Sequence, residues 1–400
     1  MKVLVICQYY YPEEFQINDI CEELVRQGHT ITVLTGLPNY PTGVIPAEYQ
    51  HGHKRDEVIN DVHVLRCWEI PRRKGIVGLG LNYLSFMLSS SFKAFKMEKD
   101  FDVIYVHQYS PVFMALPALI VKSLTGKRIF LYCCDLWPES IKVMHIDESS
   151  PIFWIVKIFS SFVYKHCDIV GVQTPAFFKY FEKIHSIENN RLVYIPQFAA
   201  SEYLNRDFST QHEGINFVFM GNIGLVQDLG CIVEATEINA QKKLSYKVHI
   251  VGDGSFLADL KQMVINKHLE TYFVFYGRRP VSEMELFYKL ADVCLLTLKG
   301  DSFVGQTVPG KLQGYMAAGK MVIAAINGSA QEVIKESRCG LVGKASDAGT
   351  LAKNMEKFIL HQEQYAMCGI NGRLYFKQHF TKEIYINNAV QVLQKLAEAK

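Results

Sequence analysis

Short apolar runs of strand length, alternating with stretches of helical period, recur along nearly the whole chain, and no other feature restricts its fold so strongly. The first run, KVLVICQYY, has the unbroken apolar character of a strand buried on both faces. A polar loop and a helical stretch over about 18–27 follow, stopped by Gly28. HTITVLTG is the next strand, which makes a βαβ unit. Runs at 62–67, 103–107, 128–133, 169–173 and 192–195 continue the series.

Residues 196–214 break the pattern with the polar, aperiodic QFAASEYLNRDFSTQHEG, which reads as a linker. A second series then begins with NFVFMGNIG, YKVHIVGDG, YFVFYGRR and DVCLLTL. With 400 residues, 49% of them hydrophobic, the chain has the material for two cores. The expected fold is α/β, two doubly wound Rossmann-like domains over 1–198 and 199–380. A closing helix over 381–400 is expected to pack back on the first.

Lys and Arg number 42 against 40 Asp and Glu, so there is no overall basic field and no nucleic-acid partner is expected. The ten cysteines are scattered without a CxxC pair, which fits small buried hydrophobes in a reducing compartment better than a zinc site. The apolar run 3–7 is too short for a signal peptide and right for a first strand. Residues 75–92 carry no charge and are bracketed by Arg72, Arg73 and Lys74 before and Lys93 and Lys96 after. Asn82, Ser85 and Ser89 make a polar stripe opposite Leu84, Met87 and Leu88. The segment therefore reads as an amphipathic helix, either packed on the domain core or lying in a membrane interface.

Ligands of doubly wound sheets bind at the carboxyl ends of the strands, and two facing domains would bring those ends to one cleft. In the second series these ends are GNIG (221–224), GDG (252–254), GRR (277–279) and GDSFVGQTVPGK (300–311), all bearing glycine. The stretch TVPGKLQGYMAAGKMVIAAINGSAQEVI reads as a turn, a helix and a buried strand. Lys311 stands at the helix start, suited to a pyrophosphate or simply solvated.

The motifs QYYYPE (8–13), GHTITVLTGLPNYPTG (28–43), CDLWPESI (134–141), FMGNIGLVQDL (219–229), VGDG (251–254) and PGKLQGYMAAGKMVI (309–323) resemble the retaining nucleotide-sugar glycosyltransferases of family 4. The similarity runs along nearly the whole chain and is strongest to bacterial enzymes of capsule, O-antigen and exopolysaccharide assembly. It implies the two-domain GT-B fold, with a nucleotide-sugar donor, usually a UDP-sugar, in the second domain. A lipid-linked saccharide on polyprenyl pyrophosphate is the implied acceptor, in the first. The implied setting is cytoplasmic and peripheral, on the inner face of the cytoplasmic membrane, with the interface touched through about 72–96.

On that resemblance, Gly221, Asn222, Ile223, Gly224, Gln227, Gly252, Gly254, Arg278, Lys311, Leu312 and Gln313 are candidate donor contacts. Asn222 and Gln227 stand where many relatives carry Arg and Lys, which leaves Lys311 as the remaining cation, supported by the backbone N–H groups of 221–224. Arg278 has the competing reading of a solvated loop arginine. The glutamate pair of the family falls at Gln306 and Gly314; Gln306 keeps hydrogen-bonding capacity, and Gln313 is the neighbour able to stand in at the ribose. Asp135 and Glu139 follow a strand end and are acceptor candidates, though Asp135 reads equally as a helix cap. His107 is a candidate for the acceptor or a core histidine, and Asn39 and Tyr40, in the proline-flanked loop LPNYPTG, are acceptor candidates. Lys311, Asp135 and Gln306 are the catalytic candidates. No cofactor and no metal is expected: the DxD pair Asp100 and Asp102 precedes a strand, at the wrong end of the sheet.

Overall fold

The computed structural model describes all residues except Lys74, Ser110, His145, Thr210, Gln211, 301–306 and Lys400, with the Val143 side chain also outside the description. Gln306 therefore lies outside the described residues. The chain forms two units, Met1–Ile195 with Ile386–Lys400, and Pro196–Tyr385.

The first unit carries β1 (Lys2–Ile6), β2 (Thr30–Thr35), β3 (Asp56–Ile59), β4 (Val62–Arg66), β5 (Val103–Gln108), β6 (Ile129–Cys133), β7 (Ile169–Val172) and β8 (Leu192–Tyr194). They form one sheet in the order β3-β4-β2-β1-β5-β6-β7-β8. All neighbours are parallel except β3 and β4, an antiparallel hairpin turning on Asn60 and Asp61, both at positive φ. The order reverses between β1 and β5, the switch point at which a crevice opens beyond the strand ends.

The second unit holds β9 (Asn216–Met220), β10 (Lys247–Val251), β11 (Phe273–Gly277), β12 (Val293–Thr297), β13 (Met321–Ala325) and β14 (Gly340–Gly343) in the order β11-β10-β9-β12-β13-β14. Every pairing is parallel. Alternate residues feed two cores: Val218, Cys294 and Val322 on one face, Phe217, Val293, Leu295 and Ile323 on the other. The switch point lies between β9 and β12. Beside it, the helix Gly310–Ala317 buries Leu312, Tyr315 and Met316. The Tyr315 hydroxyl accepts from the Met220 N–H at 3.1 Å, fixing the start of that helix against the end of β9.

The uncharged segment forms the helix Ile76–Lys96. Its polar stripe faces inward. Asn82 is fully buried and donates to the Ile70 carbonyl at 2.7 Å, while the Ser85 hydroxyl accepts from the Ile70 N–H at 2.9 Å. Leu84 and Leu88 stand exposed on the outside.

Candidate functional site

In the second unit, the loops after β9, β10 and β11 enclose a cavity of about 520 Å³ lined by Gly221, Asn222, Gly252, Asp253, Gly254 and Arg278, among others. Glycine is required here by close approach. At Gly252 and Gly254 φ is positive, and a Cβ would come within 1.9 Å of the Gly221 carbonyl and 2.3 Å of the Ile223 carbonyl respectively. At Gly221, with φ of 133°, a Cβ would stand 2.4 Å from Lys311 Cε, so the lysine stem lies directly over this glycine.

Lys311 Nζ sits 4.0 Å from the centroid of the Phe219 ring and has no carboxylate partner among the described residues. Burial lowers its ammonium pKa to about 8, the mark of a cation poorly solvated and without a counter-charge. Arg278 is exposed at the cavity wall, also without an ion pair among the described residues, whereas Arg279 reaches Glu283 at 3.6 Å. Arg278 thus lines the glycine-lined cavity, and Lys311 lies over Gly221, one of its lining residues, neither with an ion pair among the described residues.

The other expected donor contacts are placed differently. Gln227 Oε1 accepts from Asn222 Nδ2 at 3.2 Å and from the Gly224 N–H at 3.0 Å. The Gly221 N–H donates to Val251 and the Ile223 N–H to Asp253, both at 2.9 Å. Three of the four backbone donors expected to support an anion are therefore engaged within the loops. The Ile223 and Leu312 side chains are fully buried in the core, where an apolar side chain is drawn from the cavity. Gln313 is buried and donates to the Gln197 carbonyl at 2.5 Å, tying the helix to the linker instead of facing a ribose. At Gly314 a Cβ would stand 3.0 Å from the buried Tyr288 hydroxyl, which occupies the space a longer side chain would need.

In the first unit, aromatic rings gather at the β1/β5 switch point. Phe15 stacks on Tyr9 at 5.2 Å between centroids and lies 5.4 Å from Tyr40 and 5.0 Å from Tyr109. Tyr40 is 43% exposed. The Arg72 guanidinium lies 5.3 Å from the centroid of its ring and donates to the Tyr9 hydroxyl at 3.3 Å. Arg72 and the exposed Arg73 also line a cavity of about 610 Å³ with Thr42, Ile76, Leu79 and Met144.

Beneath this platform is a buried polar network. Glu13 accepts from the N–H groups of Asn39 and Tyr40, the first at 2.6 Å. Glu69, fully buried, accepts from Gln8 Nε2 at 3.1 Å and Asn39 Nδ2 at 2.6 Å. Desolvation raises the Glu13 pKa to about 7 and holds that of Glu69 well above the carboxylate range. Asn39 is thus a structural residue, its Oδ1 accepting from the Arg72 N–H at 2.8 Å, and Tyr40 alone of the pair is presented outward.

His107 is a core histidine. Its Nδ1 lies 2.7 Å from the Tyr105 hydroxyl, its Nε2 3.4 Å from Cys134 Sγ, and burial lowers its pKa to about 3. It could not face an acceptor because β5 is buried along its whole length. Glu139 pairs with Lys142 at 2.7 Å in the turn Glu139–Met144. Asp135 is exposed just past the end of β6. Asp100 pairs with Lys2 and Asp102 accepts from the Lys2 N–H at 2.7 Å, so the DxD pair secures the opposite end of the sheet. Tyr9, Phe15, Tyr109, Arg72, Glu13 and Glu69 escaped the sequence reading as site residues. The run QYYYPE holds two of the six, Tyr9 and Glu13, but nothing in it says which ring turns outward.

A family model described as glycosyl transferase 4-like domain matches residues 14–197, and one described as glycosyl transferases group 1 matches 204–375. The chain belongs to the glycosyltransferases of this GT-B family and is a hexosyl-type transferase. It is 22% identical to the putative colanic acid biosynthesis glycosyl transferase WcaI of Escherichia coli over 80% of this chain and 82% of that one. It is likewise 22% identical to the amylovoran biosynthesis glycosyltransferase AmsK of Erwinia amylovora, over 46% of each chain. Among solved structures, the Anabaena protein Alr3699/HepE in complex with UDP and glucose superposes with a TM-score of 0.66 at 15% identity, covering 98% of this chain and 99% of that one.

Proposed function

We propose that the protein transfers a sugar from a UDP-sugar, with retention, to a polyprenyl-diphosphate-linked saccharide during assembly of a bacterial surface polysaccharide. The observation that carries this reading is the glycine-lined cavity of the second unit, with Arg278 in its wall and Lys311 lying over Gly221, neither with a carboxylate partner among the described residues. A diphosphate supplies the missing counter-charge. The relatives assigned to colanic acid and amylovoran synthesis and the UDP held by a structural neighbour support the same choice of chemistry.

The bond from the anomeric carbon to the diphosphate oxygen breaks while the acceptor hydroxyl adds to the same face, its proton passing to the departing diphosphate. Lys311 and Arg278 stabilise the negative charge that builds on the leaving group. Asp135, exposed past β6, orients the acceptor hydroxyl, and Tyr40 with Arg72 offers a ring and a cation to a sugar and its phosphate. Arg278 in the cavity wall and Lys311 over Gly221 support a metal-free reading.

The test is a screen of UDP- and GDP-sugars with undecaprenyl-diphosphate-linked acceptors in detergent, scored by glycosylated lipid. Transfer from one UDP-sugar supports the reading. UDP-sugar binding without transfer to any acceptor would make the protein a binding subunit of the same fold, an outcome to which the missing side chain at Gly314 gives weight.

A further inference from the structure

The helix Pro151–His166 has an outer face as apolar as that of Ile76–Lys96. Ile152, Trp154, Ile155, Ile158 and Phe162 are all exposed, Ile155 at 67% and Ile158 at 70%, while Phe153, Val156 and Val163 pack inward. Spacings of three and four residues put the exposed isoleucines and Phe162 in one row. Single exposed apolar residues need no explanation, but a continuous row does.

This helix and Ile76–Lys96 both pack on the short turn Val112–Ala115, and the helix Leu116–Thr125 packs against each of them. The three make one layer over the sheet. None of them contains an Asp or a Glu, in a chain that has 40. Their charged side chains are Lys93, Lys96, Lys122, Lys157 and Lys165, with His166 at the end of the last helix. The row on Pro151–His166 runs toward a further cavity, about 660 Å³, lined by Lys122, Arg128, Lys165, Arg191 and Lys395 with one carboxylate, Asp168. Lys122 is held by Asp168 at 2.7 Å, but Lys165 and Lys395 have no ion pair among the described residues.

The exposed Asp147 and Glu148 precede the last helix, Glu148 paired with Lys142 at 3.0 Å, but along the three helices the apolar faces carry cations and no carboxylate, which complements a surface that is apolar in depth and anionic at its rim. Lysines beside an apolar row are what an anionic lipid surface attracts. Trp154 has the form of a headgroup-level anchor: its indole N–H donates to the Glu148 carbonyl at 2.9 Å, and Lys157 Nζ lies 4.6 Å from the ring centroid.

We propose that Pro151–His166 is a second bilayer contact beside Ile76–Lys96, its isoleucine row entering the acyl boundary of an anionic membrane while its lysines meet lipid phosphates. This rests on the reading of a lipid-linked acceptor and specifies how the enzyme would be seated to reach it.

The full chain is floated with vesicles of phosphatidylglycerol and phosphatidylcholine, and with phosphatidylcholine alone. The Ile155→Ser/Ile158→Ser variant should lose tenfold or more in partition to the anionic vesicles while its circular dichroism spectrum and melting temperature, which report an intact fold, stay at the wild-type values. Vesicles should also shift wild-type tryptophan emission to the blue, and Trp154→Phe should remove most of that shift. Partition of the isoleucine variant within twofold of wild type would overturn the inference. So would a wild-type dimer that the same variant converts to monomer with vesicle binding unchanged, since the row would then belong to a second copy. Loss of flotation together with no sugar transfer by the wild type from any donor would uphold this inference and defeat the acceptor reading alone.

Discussion

On the proposed function, Lys311 is the side chain on which donor binding chiefly rests. It rests on the Phe219 ring with its stem over Gly221, and no described carboxylate neutralises it. Lys311→Ala should fold normally, because only a half-buried side chain is lost, and should lower kcat by about a hundredfold or more. Single-turnover rates with saturating donor measure this. The sign of its pH dependence follows from burial. The free protein loses the charge as pH rises through about 8, and a bound diphosphate raises that pKa, so UDP affinity should be full below pH 8. Above that it should decline by as much as about tenfold per pH unit, seen by calorimetry at pH 7, 8 and 9. Gly314→Glu tests the lost family carboxylate. The Tyr288 hydroxyl stands 3.0 Å from the position of the new Cβ, so the variant should lose stability on the order of 1 to 3 kcal/mol and gain no UDP affinity. A stable variant with tighter UDP binding would show that Tyr288 yields. Lys311, the glycines and Arg278 were legible in the sequence because a helix start and strand-end glycines carry their own signal. The fates of Gln313, Asn39 and His107 were not, since the direction of a polar side chain depends on partners far along the chain, such as Gln197, Glu69 and Tyr105.

Among the elements, the loop that presents Tyr40 is held from below by a carboxylate that burial disfavours in its charged form. Glu13 in the folded state has its pKa raised to about 7, above the usual carboxylate value, so its contribution to stability is present at low pH and is lost as pH rises through 7. Glu13→Gln keeps an oxygen able to accept from the Asn39 and Tyr40 N–H groups and removes the titration. Its melting temperature relative to wild type should therefore rise between pH 5 and pH 8, by an amount corresponding to a gain on the order of 1 kcal/mol. A parallel pH course for the two proteins would place the titration elsewhere. The helix Ile76–Lys96 shows how far a pattern can be read without its context. Its period and polar stripe were evident, yet the stripe faces the protein, because Asn82 and Ser85 find the backbone of Ile70 and no apolar face is needed inside. The edge strand β3 left no trace in the apolar runs, being half-exposed and paired on one side only.

At the scale of the whole molecule, the two doubly wound sheets were readable from alternation alone, since buried parallel strands must be apolar throughout while their connecting helices keep a polar side. Function at this scale brings a prediction about charge. On the proposed reading, Lys311 and Arg278 supply the positive charge for the donor, and the only DxD pair in the first unit is occupied with Lys2 among the described residues. EDTA should accordingly leave turnover unchanged. Loss on chelation, restored by magnesium or manganese, would mean that a divalent ion shares the diphosphate.

The first unit also takes its last piece from the far end of the chain. The helix Lys382–Glu398 passes from the second unit into the first at Ile386 and gives it Ile386, Ala389, Leu393 and Leu396, all buried. Order of synthesis and order of completion therefore cross. The stretch Pro196–Tyr385 is a continuous length of chain and has all its parts when it leaves the ribosome, whereas the half made before it must wait, with the apolar surface around Ile169 and Leu192 uncovered, until the residues up to Leu396 have been added.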